Sequence, residues 1–332
     1  MSARRRQHVL SVAAALGGLA LFAWAVRRAG IPETIDGIRR VGWGLIPILA
    51  LGGLRLLIRS EAWRLCAPSA RRLKRVQAFT AFLAGDAIGN VTPFGLLASE
   101  PTKVFLTRQH LATRDSISSL AIDNLLYSSS IVIVISIAGA VVLATLPLPF
   151  EWREAVTMAL ALLLVATIVV VRMMRGEPGR AGVLPPAWRS RVAGLAQSVS
   201  DFTAGHPLRL WRVLALDFLF HALAVLEAYL ALKWLLGTAS PTLREAFLFE
   251  ALNRVVTVVF KFVPFRVGVD EASSGALAPL LAMDPALGVS LAVVRKVRNL
   301  FWAAIGLAVI AVLHVRAAPA TDHHGSAPVR RT

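Results

Sequence analysis

TPFGLLASE, Thr92 to Glu100, and PFRVGVDE, Pro264 to Glu271, follow one pattern: Pro-Phe, five residues, then Glu. Each closes an apolar limb. The first limb, residues 76–92, carries Asp86 and Asn90, and as a helix it would reach about 26 Å, short of the ~30 Å hydrocarbon core of a bilayer. Proline has no amide hydrogen and steers the residue before it, here Thr92, away from helix, so Pro93 predicts a turn at membrane depth. The limb that ends at Pro264 predicts a second one. Irregular backbone persists at that depth only where it is buried in protein or faces water.

Composition sets the class around these turns. Hydrophobic residues are 56% of the 332, and several apolar runs reach the ~20 residues that cross a bilayer. The runs are continuous and rich in Leu, Ala and Val, without the period-two alternation of a barrel strand. An all-α polytopic membrane protein follows, and a soluble globular fold is excluded. After a first run from Val9 to Val26, apolar segments occupy about 42–58, 76–92, 94–111, 117–146, 154–171, 211–236, 243–263, 267–283 and 286–315. The first run follows Arg4, Arg5 and Arg6 and resembles a signal peptide; its length favours an uncleaved span. The single cysteine, Cys66, excludes an intramolecular disulfide and a cysteine metal site.

If each Pro-Phe turn returns its hairpin to the side it came from, one side collects 19 Lys and Arg and the other 9. The positive-inside rule makes the first side, with both termini, cytoplasmic. The expected fold is about six spanning helices plus two re-entrant hairpins, 8–10 hydrophobic segments in all. Span, hairpin, span occurs over about 42–146 and again, with opposite polarity, over about 211–315. Inverted repeats with broken helices meeting near the midplane are a transporter architecture. A single transmembrane domain is expected over 1–316, with a disordered cytoplasmic tail over 317–332. Between the repeats, a cytoplasmic loop of about 172–208 holds a helix whose stripe Trp188, Val192, Leu195, Val199 and Phe202 suits the membrane surface.

Ionisable groups inside spans are costly and usually face a partner or water. Glu100 and Glu271 are candidates for binding a proton or cation; each equally suits the N-terminus of its hairpin's second helix, and Pro101 would fit a first helical turn. Lys103 lies one turn beyond Glu100, Asn90 one turn beyond Asp86, and Arg254 one turn beyond Glu250. Lys261 and Arg266 bracket the second turn, either to hold a phosphate or to snorkel to the interface. Arg295, Lys296 and Arg298, followed by Trp302, form an anion clamp or an interfacial anchor. Asp123 is expected to counter Arg295 or Arg298, and Arg55 to pair with Asp217. Asp217 and His221 at i, i+4 suit a proton relay or a buried hydrogen bond.

Asp86-x3-Asn90-x2-Pro93 with Ser99-Glu100-Pro101-Thr102-Lys103, and later Asn253-Arg254, Pro264-x3-Gly268-x2-Glu271 and Arg295, resemble the lysylphosphatidylglycerol synthase transmembrane region family, also called flippase-like membrane proteins. The resemblance runs from about 9 to 315. Where that family has Gly-Glu followed by Arg in the first hairpin, this chain has Ser99 and Lys103. The resemblance implies moving or handling lipids. Some members are fused to an aminoacyl-phosphatidylglycerol synthase domain, and no stretch outside the spans is long enough for one here.

The formal charge of +17 gathers beside the spans on the cytoplasmic side, where anionic headgroups attract basic residues, so lipid and not nucleic acid is the expected partner. HExxH, a Walker loop, GxSxG and CxxC are all absent from the sequence, and no cofactor or enzymatic activity is expected. The expected function is lipid transport in a bacterial cytoplasmic membrane, of a phospholipid or related lipid with an anionic headgroup. A secondary transporter of a small polar solute, or a non-catalytic partner of a lipid or glycan synthesis enzyme, is the alternative.

Overall fold

The computed structural model describes residues 39–68, 73–92, 95–174, 186–260 and 263–317. The expected first span, Pro93, Lys261 and the tail from 318 lie outside the described residues. Ten α-helices and no strand occur among them: α1 Leu45–Cys66, α2 Arg75–Val91, α3 Gly95–Thr107, α4 Thr113–Thr145, α5 Phe150–Met174, α6 Pro186–Gly205, α7 Pro207–Leu236, α8 Leu243–Val259, α9 Val269–Leu277 and α10 Pro285–Ala317. Four stretches are long and apolar enough to cross a membrane, Arg39–Cys66, Thr113–Thr145, Pro207–Leu236 and Pro285–Leu313. They contain α1, α4, α7 and α10, the four spans that flank the two Pro-Phe segments. Helix α5 exposes Met158, Leu162, Leu164, Val165 and Ile168, an apolar outer face.

Local chemistry sets the helix boundaries. Thr92 is extended, as the residue before Pro93 must be, and it ends α2. Thr242 and Glu245 cap α8 reciprocally: the threonine Oγ1 accepts from the Glu245 amide at 3.2 Å, and Glu245 Oε2 accepts from the Thr242 amide at 2.7 Å. Glu271 does the same for α9, accepting from the Gly268 amide at 2.9 Å, while Gly268 holds φ +84°, open to glycine without strain. Between α8 and α9, Pro264–Arg266 forms a 3-10 turn in which Phe265 and Arg266 both have φ 49°. Two successive left-handed non-glycine residues cost on the order of 1–3 kcal/mol each. Burial of the Phe265 ring against Ala87, Val91, Leu300 and Ala303 holds the turn between α2 and α10.

The helix contacts repeat. Under the exchange of α1 for α7, α2 for α8, α3 for α9 and α4 for α10, α2 on α10 becomes α8 on α4, α1 on α4 becomes α7 on α10, and α1 on α10 becomes α7 on α4. The pairings α1 with α2, α2 with α3 and α3 with α4 recur as α7 with α8, α8 with α9 and α9 with α10. Helix α1 packs on its own counterpart, α7, at the centre.

Three local expectations are corrected. Helix α3 begins at Gly95, so Pro101 lies inside it and Glu100 in its second turn, because nothing between Gly95 and Glu100 interrupts the helix. Helix α10 begins at Pro285 and runs 33 residues, about 50 Å. Arg295, Lys296 and Arg298 therefore lie in its third and fourth turns, inside the last span and not at its end, and the run after Leu300 is too short to span alone, as expected. In α6, Val199 and Phe202 pack against Ala62, Cys66, Ile122, Leu126 and Val213, so this end of the stripe faces protein and not a membrane surface. The side chains of Trp188, Val192 and Leu195 lie outside the described ones.

Close backbone approach fixes two helix pairs. A Cβ on Gly95 would meet the Gly89 carbonyl oxygen of α2 at 2.2 Å, and one on Gly288 would meet the Ser274 carbonyl oxygen of α9 at 2.1 Å. Backbone cannot rotate aside as a side chain can. Gly288→Ala is therefore expected to lower stability by about 1–3 kcal/mol through overpacking, read as a fall in the unfolding temperature of the detergent-solubilised protein. Gly194→Ala, inside α6 with nothing within 4 Å, is the control: it gains the same helix propensity, about 0.5–1 kcal/mol, without the clash.

Candidate functional site

Helix α1 carries Arg55 and Arg59 one turn apart, and each reaches across to other helices. Arg59 is bound by two carboxylates, Asp123 of α4 at 2.7 Å and Asp217 of α7 at 2.5 Å, and its Cζ lies 3.9 Å above the Tyr127 ring. The three ionic residues are between 0% and 5% exposed. Arg55 pairs with Glu227 of α7 at 2.7 Å, and Arg298 of α10 takes the other oxygen of that carboxylate. Glu250 of α8 is shared in the same way by Arg254 on its own helix and by Arg295 of α10, at 3.2 Å. Arg254 also donates to the Tyr127 hydroxyl at 3.1 Å.

The hairpins add shorter-range pairs. Lys103 binds Glu100 at 3.0 Å, with its Nζ 4.4 Å above the Phe82 ring. Arg266, in the strained turn, binds Asp270 at 3.0 Å, and Lys296 binds Glu271. Asn90 donates to Asp86 Oδ2 at 2.9 Å, and Asp86 has no ion pair among the described residues. His221 shares a 3.0 Å hydrogen bond with Ser130 and stacks on Tyr127. This is the buried hydrogen bond and not a link to Asp217, which is committed to Arg59.

These charges surround one cavity of about 290 Å³, at the low end of the size of ligand sites. It lies where α1, α2, α3, α8, α10 and the Pro264–Arg266 turn converge. Its wall carries six cations, Arg55, Arg59, Lys103, Arg254, Arg266 and Arg298, against two carboxylates, Asp86 and Glu100. The carboxylates that balance the arginines stand behind them, out of the wall. Arg55 and Arg254 line the cavity while 7% and 5% exposed, and the Nε–H of each has no acceptor.

Of the residues singled out from sequence, Asp86, Asn90, Glu100, Lys103, Asn253, Arg254, Arg266 and Arg298 line this cavity. Asp123, Pro264, Gly268, Glu271 and Arg295 do not. Asp123 holds Arg59, not Arg295 or Arg298, and Asp217 pairs with Arg59, not with Arg55. The basic cluster of α10 is no clamp: Arg295 turns to Glu250 and the Phe249 carbonyl, Lys296 turns to Glu271, and Arg298 alone reaches the wall. Glu271 caps α9, its structural role. Sequence reasoning missed Arg59 and Glu227. The signal for Glu227 was present, a lone carboxylate in an otherwise apolar stretch of α7.

Trp302 completes the wall by close contact. Its indole Nε1–H donates to the Leu49 carbonyl at 3.0 Å, and its ring covers Gly53, where any Cβ would meet it at 2.3 Å. The two glycines of α1, Gly52 and Gly53, thus admit Arg298 and Trp302 of α10 against the helix backbone.

No curated protein and no solved structure matches the sequence. The model of the family described as lysylphosphatidylglycerol synthase TM region matches residues 9–317, nearly the whole chain. The chain belongs to that family, which places it among membrane proteins of lipid metabolism or transport.

Proposed function

We propose that this protein moves a phosphate-bearing lipid across a bacterial cytoplasmic membrane, acting as a flippase-like transport protein and not as an enzyme. One observation carries the reading: a 290 Å³ cavity walled by six cations among helices whose outer faces are apolar. A headgroup phosphate accepts hydrogen bonds from Arg55, Arg254 and Arg298, while the acyl chains stay in the bilayer. The segments around Pro93 and Pro264 act as re-entrant hairpins of opposite polarity, and both termini lie in the cytoplasm. The recurrence of helix contacts under exchange of the two halves supports that arrangement. Glu100, which holds Lys103 on the cavity wall, releases it as the cavity opens to one side or the other.

The test is translocation of fluorescent phosphatidylglycerol by purified protein in phosphatidylcholine vesicles. Faster translocation than in protein-free vesicles is expected, and its absence across a panel of labelled lipids rejects the reading. Arg254→Ala is expected to slow the movement about 10–100-fold, the equivalent of losing one charged hydrogen bond of ~1.5–3 kcal/mol. If movement persists at the wild-type rate, Arg254 has no part in carrying the headgroup.

A further inference from the structure

The ion pairs around the cavity do not balance until Asp86 is included. Arg59 is held by two carboxylates, while Glu227 and Glu250 each hold two guanidinium groups. Lys103 with Glu100 and Arg266 with Asp270 are one to one. One positive charge is left over in this network, and ionised Asp86 cancels it. Asp86 is also the cavity carboxylate without an ion pair among the described residues, held only by the Asn90 amide.

Every element packed against α2 presents charge to this carboxylate. From α3 come Lys103 and Glu100, from α1 Arg55 and Arg59, from α10 Arg298, and from the Pro264–Arg266 turn Arg266. Burial acts on it most strongly, and Lys103, Arg298 and Arg266 are the leading charges. With Asp86 ionised, a phosphate monoanion entering the cavity leaves a net negative charge among partly desolvated groups, which is unfavourable. With Asp86 protonated, the network carries one positive charge and the phosphate neutralises it. The guanidinium groups of Arg55, Arg254 and Arg298 on the cavity wall supply the donors.

We propose that Asp86 is a proton site coupled to the phosphate: one proton enters the cavity with each phosphate monoanion, and the pair crosses without net charge. The proton passes from water to an Asp86 carboxylate oxygen and leaves from it on the other side; no bond of the lipid changes. The proposal rests on the phosphate-lipid reading above. It adds that binding is linked to pH and that transport answers to a proton gradient.

Calorimetric titration of the solubilised protein with dihexanoyl phosphatidylglycerol, in two buffers of different ionisation enthalpy near pH 7, measures protons taken up per ligand bound. Wild type is expected to take up about one, as linkage requires when a carboxylate ionised in the free site is protonated in the bound one. Asp86→Asn is expected to take up none, and Asp86→Glu to restore uptake. Lipid binding by wild type with no buffer dependence overturns the proton coupling and leaves the lipid reading intact. No lipid binding at all overturns both. Titration with dimethyl phosphate, a fixed monoanion at this pH like the lipid's phosphodiester, separates the sources: binding as tight as the lipid's with equal uptake assigns the site to a free phosphate ester, which overturns the lipid reading but keeps the coupling.

Discussion

Arg59→Met is expected to destabilise the protein by about 3–5 kcal/mol, the loss typical when one partner of a buried ion pair is removed. Methionine preserves the bulk of the side chain but strands Asp123 and Asp217, which are 1% and 0% exposed. Neither has another cation within ion-pair distance among the described residues. The removal also weakens the junction of α1, α4 and α7, since this one guanidinium pairs with carboxylates of both α4 and α7. The measurement is the unfolding temperature in detergent micelles, with the yield of monodisperse protein beside it. Arg59→Met combined with Asp123→Asn and Asp217→Asn is expected to recover most of the loss, because no buried charge then remains unpaired. Arg64→Met is the comparison. Its pair with Glu61 at 2.7 Å lies at the partly exposed end of α1 and is worth about 0–1 kcal/mol.

Arg59 also marks where the sequence stops being readable. From composition it looked like the first residue of a basic loop, since the apolar run before it ends at Ile58. Helix α1 continues to Cys66, because Arg59 is neutralised inside the bundle and interrupts nothing. Pairs within one helix were legible: Asp86 with Asn90, Glu100 with Lys103 and Glu250 with Arg254 follow from the three- to four-residue period alone. Pairs between helices were not. Assigning Arg55 to Asp217 placed α1 one turn out of register with α7, and register depends on packing, such as Trp302 against Gly53, that no single helix encodes. The doubled Pro-Phe pattern marked two segments at the cavity, yet the glutamates that end it serve different ends. Glu100 lines the wall, whereas Glu271 caps a helix. Equal spacing in sequence did not carry equal chemistry, because α3 starts five residues before Glu100 and α9 only two before Glu271.

Glu227→Gln is expected to cost a similar ~3–5 kcal/mol, leaving Arg55 and Arg298 without their shared carboxylate. The two losses differ in what can reverse them. Arg59→Met strands carboxylates, which an anionic ligand cannot relieve. Glu227→Gln strands two guanidinium groups that line the cavity, where a phosphate can take the place of the missing carboxylate. A ligand at 100 times its Kd adds about 2.7 kcal/mol to a state it binds, and the addition grows as binding tightens. Dihexanoyl phosphatidylglycerol is therefore expected to raise the unfolding temperature of Glu227→Gln more than that of wild type, whose Arg55 and Arg298 must first share their hydrogen bonds with Glu227. Arg59→Met should respond no more than wild type does. If the lipid shifts Glu227→Gln no further than wild type, Arg55 and Arg298 serve only to join α1, α7 and α10, and the headgroup binds elsewhere on the wall.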